Sequence, residues 1–362
     1  MRTCNISWTR LATALLVLVT ATACEKNNLN SCNREIAVKA FSSTQTKAGT
    51  STFPPTFGLY ANYTTSPDGT DCKSVWETST EKYLDNKCFA TIDGGTTFAN
   101  VNPQNITEHQ PIYWPGAGSL MFTAYAPYAS QSPCIKAVRY LRYAEPTNQS
   151  RMEIDIVLKE KPQGQKDAAT IGLTEDNNPL DLLWVDTRNI NGNKSIGSQP
   201  NAVPLKFFHA MSKVTVKITN PEAQYKVTAK LLHCINAATF YSGNTPGWKP
   251  DFTNMDNGTV DYILFDNLNL GTTEESSSVC VIPAQLNAQY QGAPLNFAQP
   301  ITLRITLMNK DGIGKQTRDF NLSDYTKTWL PTKHYIYNLT INSQKIEFSE
   351  PIIENRDQII EP

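Results

Sequence analysis

Segments in which apolar and polar residues alternate run through most of the chain, and short breaks rich in Gly, Pro, Asn and Asp separate them. The clearest alternation places Met152, Ile154, Ile156 and Leu158 on one face. The same pattern occurs at residues 36–40, 214–218, 227–231, 301–307 and 335–341. Such alternation is typical of half-buried antiparallel strands. Because no long segment shows a helical stripe and Pro breaks most windows, the pattern predicts an all-β protein.

The second half of the chain contributes the most regular of these segments, so its core can be predicted residue by residue. On the apolar faces lie Val214, Val216, Ile218, Leu303, Ile305, Leu307, Tyr337 and Leu339. Because successive side chains of a strand point to opposite sides, a register error of one residue would expose this whole set. The alternation therefore predicts that these side chains line one core.

A polar stretch near the middle of the chain interrupts the strand pattern. Residues 186–200 are rich in Gly and Asn and have no periodicity, which is typical of a linker. We expect a domain boundary there, with an N-terminal domain at residues 33–195 and a C-terminal domain at residues 196–362. Each half carries several short strands between turn signals, as in β-sandwiches with Greek-key connections.

The first residues of the chain form a targeting segment. Arg2 and Arg10 precede or flank an apolar run at residues 11–19, which is too short to span a bilayer permanently. The run ends in Ala-Thr-Ala followed by Cys24, which looks like a lipoprotein cleavage site. We expect residues 1–23 to be a lipoprotein signal peptide, Cys24 to be lipidated, and residues 24–32 to be a polar tether. The alternative is an ordinary signal peptide with a cysteine near its cleavage site.

Charge and composition restrict the class of partner. The chain has 32 Lys and Arg residues against 33 Asp and Glu residues, with no basic block. Because binding to phosphate backbones requires a cationic face, this balance argues against nucleic acid as a partner. Charged residues make up only 18% of the chain, while Thr, Asn, Ser and Tyr are plentiful, as is typical of extracellular β proteins.

Six cysteines remain after the leader and Cys24 are set aside: Cys32, Cys72, Cys88, Cys134, Cys234 and Cys280. An even number in an exported chain permits disulfides, and a Cys72–Cys88 bridge is the best local candidate. We expect Cys234 and Cys280 to be buried thiols within strands. Cysteine pairs spaced as CxxC are absent from the sequence, so it predicts no zinc site.

Motifs of catalysis are not found in the sequence, which lacks HExxH, GxSxG and phosphate-binding Gly-rich patterns. The chain has four His residues, and the one entering a strand, His209, is expected to contact a backbone carbonyl. Asp181 with Asp186 could be proposed as a glycosidase pair, but solvated surface carboxylates are the simpler interpretation. We therefore expect a protein that is not an enzyme and needs no cofactor or metal.

Two tryptophans are candidates for contact with sugar rings. Trp114 and Trp248 each lie in a segment rich in Pro and Gly, which predicts exposed turns. Aromatic side chains of β-sandwiches more often belong to the core or its rim. These two residues support an alternative function, a surface lipoprotein that binds glycans for polysaccharide capture.

Several motifs occur in the order typical of a known family. They are residues 35–40, 46–48, 121–127, 181–185, 205–214, 282–283 and 329–341. Together with the lipoprotein signal, this series resembles the fimbrillin family, the pilus subunits and adhesins of Bacteroidetes type V pili. The resemblance implies two tandem transthyretin-like β-sandwich domains and an outer membrane lipoprotein at the cell surface or in a fimbrium. It implies other pilus subunits, or a second copy of the chain, as partners, and a host or bacterial surface glycan or protein as an adhesion target.

The resemblance also implies assembly by strand exchange. In the family a trypsin-like protease removes the first strand, and a C-terminal strand of another subunit fills the groove. Here the processing site would be Lys47, with Arg34 as second candidate, although a cut there would leave the strand attached. The donor would be residues 345–353, and its pocket-filling side chains would be Ile346, Phe348, Ile352 and Ile353. Pro351 interrupts the donor's ladder, and the Trp that family members often carry near this end is absent.

Overall fold

The computed structural model describes residues 35–42, 53–64, 82–92, 97–115, 119–144, 149–158, 180–185, 202–220, 225–242, 246–251, 259–286, 299–311, 314–342 and 345–357. Cys24, Arg34, Lys47, the leader and the tether lie outside these ranges. The described residues form strands and two single-turn 3-10 helices, Ala129–Gln131 and Leu322–Asp324. The prediction of an all-β fold is confirmed.

The first ten strands are β1 (Val38–Ser42), β2 (Thr56–Thr64), β3 (Lys82–Thr91), β4 (Thr97–Asn102), β5 (Asn105–His109), β6 (Ser119–Ala126), β7 (Ile135–Ala144), β8 (Gln149–Val157), β9 (Leu183–Val185) and β10 (Val203–His209). The others are β11 (Ser212–Thr219), β12 (Tyr225–Ile235), β13 (Ala237–Tyr241), β14 (Gly247–Pro250), β15 (Thr259–Asn269), β16 (Glu275–Val281), β17 (Thr302–Asn309), β18 (Lys315–Asn321), β19 (Lys333–Ile341), β20 (Ile346–Phe348) and β21 (Ile352–Asn355).

The first sheet closes on itself. Its strands follow the order β1-β10-β9-β6-β2-β3-β4-β5, and β4 also pairs with β1. Seven strands therefore form a ring, and β5 extends from β4 outside it. The cluster of buried side chains that these strands share includes Ile36, Val38, Phe57, Leu59, Phe89, Phe98, Trp114, Phe122, Leu205 and Phe207. β1 is the strand that closes the ring, because it joins β10 on one side and β4 on the other.

Two strands of the ring are buried on both faces. Phe57 of β2 and Phe122 of β6 belong to the interior cluster of the ring. Their neighbours Tyr60 and Met121 belong instead to the large second core, which also contains Ile154 of β8. Strands covered on both sides read as nearly continuous apolar runs, which is why β2 and β6 show no clean alternation.

Two further sheets form a sandwich. One has the order β16-β11-β19, and both β20 and β21 pair with the outer edge of β19. The other has the order β15-β12-β17-β18. All eight side chains predicted for this core are at most 5% exposed and belong to a single cluster. The prediction of this core is confirmed.

A fourth sheet connects the ring to the sandwich. Its order is β14-β13-β8-β7, and β13 follows β12 after the single residue Asn236. The nearly continuous extended segment formed by β12 and β13 thus belongs first to the sandwich sheet and then to the fourth sheet. Strand pairing crosses the predicted boundary at residues 195 and 196, since β10 lies in the ring and β8 pairs with β13. The division into two domains stays a prediction.

The cysteines are reduced where the structure describes them. Cys88 and Cys234 are buried free thiols, and Cys134 and Cys280 are buried cysteines that form no disulfide with the described residues. The predicted Cys72–Cys88 bridge is therefore wrong, while the interpretation of Cys234 and Cys280 as buried thiols is confirmed. Burial raises the pKa of the Cys88 thiol to about 11. A thiol that stays protonated at neutral pH is a poor nucleophile, so these cysteines act as small core residues.

Ile305 and Arg304 are adjacent on β17 and test the assigned face of that strand. Ile305 is fully buried, whereas Arg304 makes an exposed pair with Asp319. Replacing Ile305 by Ala should lower the free energy of unfolding by about 2–5 kcal/mol, because it leaves a cavity in the sandwich core. Replacing Arg304 by Ala should cost at most about 1 kcal/mol. Urea unfolding followed by circular dichroism measures both, and equal costs would contradict the assignment.

Candidate functional site

β1 fills the gap in the ring through paired backbone and buried side chains. Five of its residues lie opposite β10 in parallel register, and Val38 also lies opposite Phe98 of β4. Ile36, Val38 and Ala40 are at most 3% exposed, whereas Lys39 faces solvent. This alternation gives each inward side chain a pocket between β4 and β10. Without β1, both strands would present unpaired edges, and the pockets would be open.

An aromatic group forms the wall beside β1. Phe57 contacts both Phe98 and Phe207, with ring centroids 5.1 and 5.4 Å apart. Phe53 adds edge-on contacts to Phe98 at 5.4 Å and to Phe207 at 4.9 Å. Aromatic pairs in these arrangements contribute beyond their buried area. The groove walls are thus held by contacts that do not include β1.

Two residues shortly before β1, Glu35 and Ile36, are hydrogen-bonded or paired with residues 109–113. Ile36 donates its backbone N–H to the carbonyl of Ile112 at 2.8 Å, and Glu35 forms an isolated bridge with Tyr113. The Glu35 carboxylate also contacts Nε2 of His109. Both side chains of this pair are partly exposed, so the pair contributes little stability. The backbone pairing is the main tie at this end.

The C-terminal segment folds onto its own sandwich. β20 pairs with Leu339–Ile341 of β19, and β21 pairs with Lys333–Ile336. Phe348 stacks on Tyr337 with centroids 5.5 Å apart and contacts Phe320 at 4.9 Å. Ile346 packs partly buried against the same core. Two of the four predicted donor side chains thus serve the core of their own chain in this structure.

The other two predicted donor side chains are free of the core. Ile352 and Ile353 are 54% and 53% exposed. Pro351 separates β20 from β21, which agrees with the expectation that it interrupts the ladder. An exposed edge strand that carries two isoleucines is an unusual feature for a soluble surface and is typical of a pairing site.

A buried polar cluster follows β21. Arg356 and Asp357 are each 9% exposed, and the Arg356 guanidinium contacts both carboxylate oxygens of Asp181, Nη2 to Oδ2 at 2.5 Å and Nη1 to Oδ1 at 3.3 Å. His209 Nδ1 lies 3.0 Å from the same carboxylate. The His209 backbone N–H also donates to the Asp357 carboxylate at 3.3 Å. We call these four residues, Asp181, His209, Arg356 and Asp357, the Arg356 clasp.

Charge and burial oppose each other in the Arg356 clasp. Burial alone would raise the pKa of Asp181, but the charge of Arg356 and the contacts of its carboxylate with Arg356 and His209 outweigh burial, so the pKa is held below its usual range. Burial likewise disfavours the charged Arg356, but Asp181 keeps its pKa above the ordinary value. Both groups are therefore charged at neutral pH, and each depends on the other for compensation.

Two titratable side chains beside the Arg356 clasp, His334 and Cys280, are uncharged at neutral pH. Burial, together with the positive charges of Lys213, Arg356 and Lys217, lowers the pKa of His334 to about 3. Burial and the charge of Asp181 raise the pKa of Cys280 to about 12, although Arg356 Nη1 lies 3.7 Å from its sulfur. The Arg356–Asp181 pair is thus largely buried, and its attraction is only weakly screened by solvent and salt.

No local pattern in the sequence reveals this cluster. The interpretation of Asp181 as a solvated carboxylate is wrong, since Arg356 and His209 contact it. The expected contact of His209 with a backbone carbonyl stays a prediction. Asp181 and Arg356 are 175 residues apart, so no local pattern could reveal them. The signal available in the sequence was a lone Asp inside the apolar segment 180–185, a position where a charge needs a partner.

The two predicted glycan-contact tryptophans differ in exposure. Trp114 is 5% exposed and packs edge-on against Phe122 in the ring, so the expectation that it lies at the surface is wrong. Trp248 is half-buried on β14 and lines an open depression of about 970 Å³ with Pro246, Pro283 and Leu330. Its indole N–H donates to the carbonyl of Ala210 at 2.7 Å, which fixes the ring.

In the described part of the chain, no group of three or more His, Cys, Asp or Glu side chains could hold a metal ion. Among the same residues there is no helix long and apolar enough to cross a membrane.

The architecture defines an all-β protein made of a ring sheet and a packed sandwich. A fimbrillin-like family model matches residues 46–355. The chain belongs to the fimbrillin-like family, which confirms the resemblance found in the sequence. No curated protein matches the chain.

Solved structures from Bacteroides share the fold. A proposed cell adhesion protein from Bacteroides uniformis has a TM-score of 0.52 and 17% identity, covering 89% of this chain and 99% of its own. A fimbrial protein from Bacteroides vulgatus has a TM-score of 0.52 and 15% identity, covering 88% and 99%. A proposed cell adhesion protein from Bacteroides ovatus has a TM-score of 0.51 and 15% identity, covering 91% and 99%. At these identities the likeness shows the fold alone.

Proposed function

We propose that this chain is a cell-surface fimbrial subunit or adhesin that assembles by exchange of β1 for a strand of another subunit. The observation that carries the proposal is the position of β1 as the closing strand of the ring, between β4 and β10. The family assignment and the descriptions of the similar Bacteroides structures as fimbrial and cell adhesion proteins agree with it. The role is structural, and no catalysis is assigned to the chain.

Removal of β1 would create an acceptor groove. The strand buries two branched side chains, Ile36 and Val38, each of which contributes about 1.5–3 kcal/mol through burial. Its ladder also satisfies edge groups of β4 and β10 that would otherwise be unpaired. A protein that loses β1 therefore gains free energy by binding any strand with the same alternation. This is recognition by β-augmentation, in which backbone pairing gives affinity and side-chain pockets give specificity.

The donor is the C-terminal segment of another copy or another subunit. Ile346 and Phe348 have the same spacing as Ile36 and Val38, so a donor parallel to β10 would place them in those two pockets. In that register Glu350 takes the position of Ala40, which is 3% exposed. A carboxylate is costly there, and Pro351 follows it. The pairing of this donor with this groove is thus weaker than the fit of β1 itself.

A lipid at Cys24 delivers the subunit to the outer membrane. The expectation rests on the short apolar run and the cysteine that follows it. Because acylation at this type of site adds several chains, it gives firm anchoring where a single chain would bind marginally. Cleavage downstream of Cys24 would then separate the mature fold from its anchor and open the groove in one step.

Glycan binding is the alternative function, and Trp248 is the observation that favours it. The half-buried indole lines an open depression together with Pro and Leu side chains, a surface on which a sugar ring could stack. Phe240 packs against the indole at 5.2 Å, and the N–H is already bonded to Ala210. We therefore place this function second.

The glycan alternative predicts that the full chain binds at least one polysaccharide on a glycan array and that Trp248→Ala abolishes the signal. Trp114→Phe is the matched control, because Trp114 is buried in the ring and should leave binding unchanged. A chain that shows no signal on the array excludes this alternative for the glycans tested.

Lipidation is tested by the variant Cys24→Ser. The wild-type chain should label with an alkyne analogue of palmitate and fractionate with the outer membrane, whereas Cys24→Ser should do neither. Cys32→Ser serves as the control, since Cys32 lies beyond the expected cleavage site. A Cys24→Ser protein that still carries the label contradicts the assignment.

Strand exchange is tested by limited trypsin treatment of the folded chain. We expect the first cut at Lys47, because Lys39 lies inside a paired strand and loops are cleaved first. Once the cleaved fragment has been removed, the nicked protein should bind a peptide of residues 345–353 and form oligomers, as measured by native mass spectrometry. A variant Lys47→Gln should resist both changes.

Two further peptides complete the strand-exchange test. A peptide of residues 33–42 restores the native strand and should bind most tightly, which shows that the groove persists after cleavage. A donor peptide carrying Ile346→Lys and Phe348→Lys should not bind, because charged side chains cannot fill the pockets. If the nicked chain keeps its first strand under native conditions, stays monomeric and ignores the donor peptide, strand exchange is excluded for this protein.

A further inference from the structure

β21 gains little stability from its own side chains. All four of its residues are exposed, so its burial of apolar surface is small. A four-residue ladder ties it to β19, and Glu354 lies 3.3 Å from His334 in a partly exposed pair. Short ladders at a sheet edge open readily when no side chain is buried behind them. Contacts of residues outside β21 must therefore contribute to holding β21 on β19.

The Arg356 clasp supplies that hold directly after β21. In addition to its two contacts with Asp181, the Arg356 guanidinium lies 3.4 Å from the carbonyl of Met211. The backbone N–H of Arg356 donates to the carbonyl of Thr332 at 2.7 Å. The partners come from three distant parts of the chain: the segment before β9, the link between β10 and β11, and the turn before β19. One arginine thus joins the end of the donor segment to both the ring and the sandwich.

The backbone of Thr332 is a second and independent sign of this role. Thr332 has φ 65°, in the left-handed region that β-branched residues rarely adopt. Such conformations persist where the surrounding structure holds them in place, and they concentrate at sites with a function. Here the conformation belongs to the residue whose carbonyl receives the Arg356 N–H. The strained turn before β19 therefore provides the carbonyl that accepts a hydrogen bond from Arg356, the residue that follows β21.

We propose that the Arg356 clasp is the lock that keeps the C-terminal segment on its own chain and that its opening releases the segment for donation. The donation step rests on the function proposed above, whereas the lock does not. The groove between β10 and β4 pairs both edges of the strand that fills it, so β20 and β21 cannot stay paired with β19 and fill that groove at the same time. The segment must therefore leave β19 before it is donated. The clasp is the buried, charge-paired contact on the segment and thus limits its release.

Hydrogen exchange of the full chain tests the lock without reference to assembly. In Asp181→Asn and Arg356→Gln, amides of residues 352–357 should exchange at least about 100-fold faster, because breaking a buried charge pair leaves one charge uncompensated. Amides of β11 and β12 should keep their protection. The matched control is Asp319→Asn, which breaks the exposed pair in which Asp319 contacts Arg304 Nε and Nη2, each at 2.7 Å. It should leave the C-terminal amides unchanged.

A double variant guards against loss of folding. Asp181→Asn combined with Arg356→Gln removes both charges of the pair, so neither is left buried without the other, and Asp357 keeps the His209 backbone N–H as donor; we expect the fold to be retained. Its C-terminal amides should still exchange faster than in the wild type, because a neutral amide pair holds less firmly than an Arg–carboxylate pair. Wild-type exchange rates for residues 352–357 in the single or the double variants overturn the lock.

Donation is measured separately, by mixing each intact variant with wild-type chain nicked at Lys47 and following the complex by native mass spectrometry. Asp181→Asn should form the complex at least about tenfold faster than wild type or Asp319→Asn. Faster hydrogen exchange with an unchanged rate of complex formation overturns the role of the clasp in donation. If the nicked chain rebinds the peptide of residues 33–42 but accepts no intact chain, the donor role fails, and hydrogen exchange alone still decides the lock.

Discussion

The unpaired backbone groups of a strand edge are the constraint on which this structure depends. β4 and β10 are joined in the ring by β1, which lies between them, parallel to β10 and antiparallel to β4. Every backbone group on those two edges must be paired or hydrated, and hydration is poor beside a cluster of phenylalanines. The ring therefore requires an occupant at this place, but the chemistry of a ladder does not specify which chain provides it. In the strand exchange proposed above, β1 is the five-residue strand that another chain replaces.

β1 and the C-terminal segment, which contains β20 and β21, differ in how they are held on the sheets they pair with. β1 is held by side chains that enter the ring, so its removal changes the core. The C-terminal segment lies on the outside of β19, where only Ile346 and Phe348 reach the core and the last strand is exposed. A segment of the second kind can leave at little cost to the rest of the protein, provided that a contact at its end is released. In the strand exchange proposed above, this difference suits the end at β1 to accept a strand and the C-terminal end to provide one.

Sequence periodicity was informative where one face of a strand meets solvent and the other meets the core. β11, β17 and β19 are of this kind, and every side chain predicted to be buried there is buried. Periodicity was silent for β2 and β6, because Tyr60 and Met121 are buried on the second face by a different core. Pro and Gly around Trp114 indicated a turn correctly but said nothing about the ring packing against it. The pair of Asp181 and Arg356 had no local signature at all, since only the complete fold brings them together.

Pro351 divides the C-terminal segment into two short strands, and this division has a kinetic consequence. β21 and β20 occupy separate stretches of β19, so the segment has two independent attachment points instead of one continuous zipper. A competitor need not displace the whole segment in one event. In the proposed exchange, a competing strand can pair first at the site of β20 or of β21 and then displace the other short strand. In the proposed donation, Pro351 would thereby divide one large barrier to release into two smaller ones.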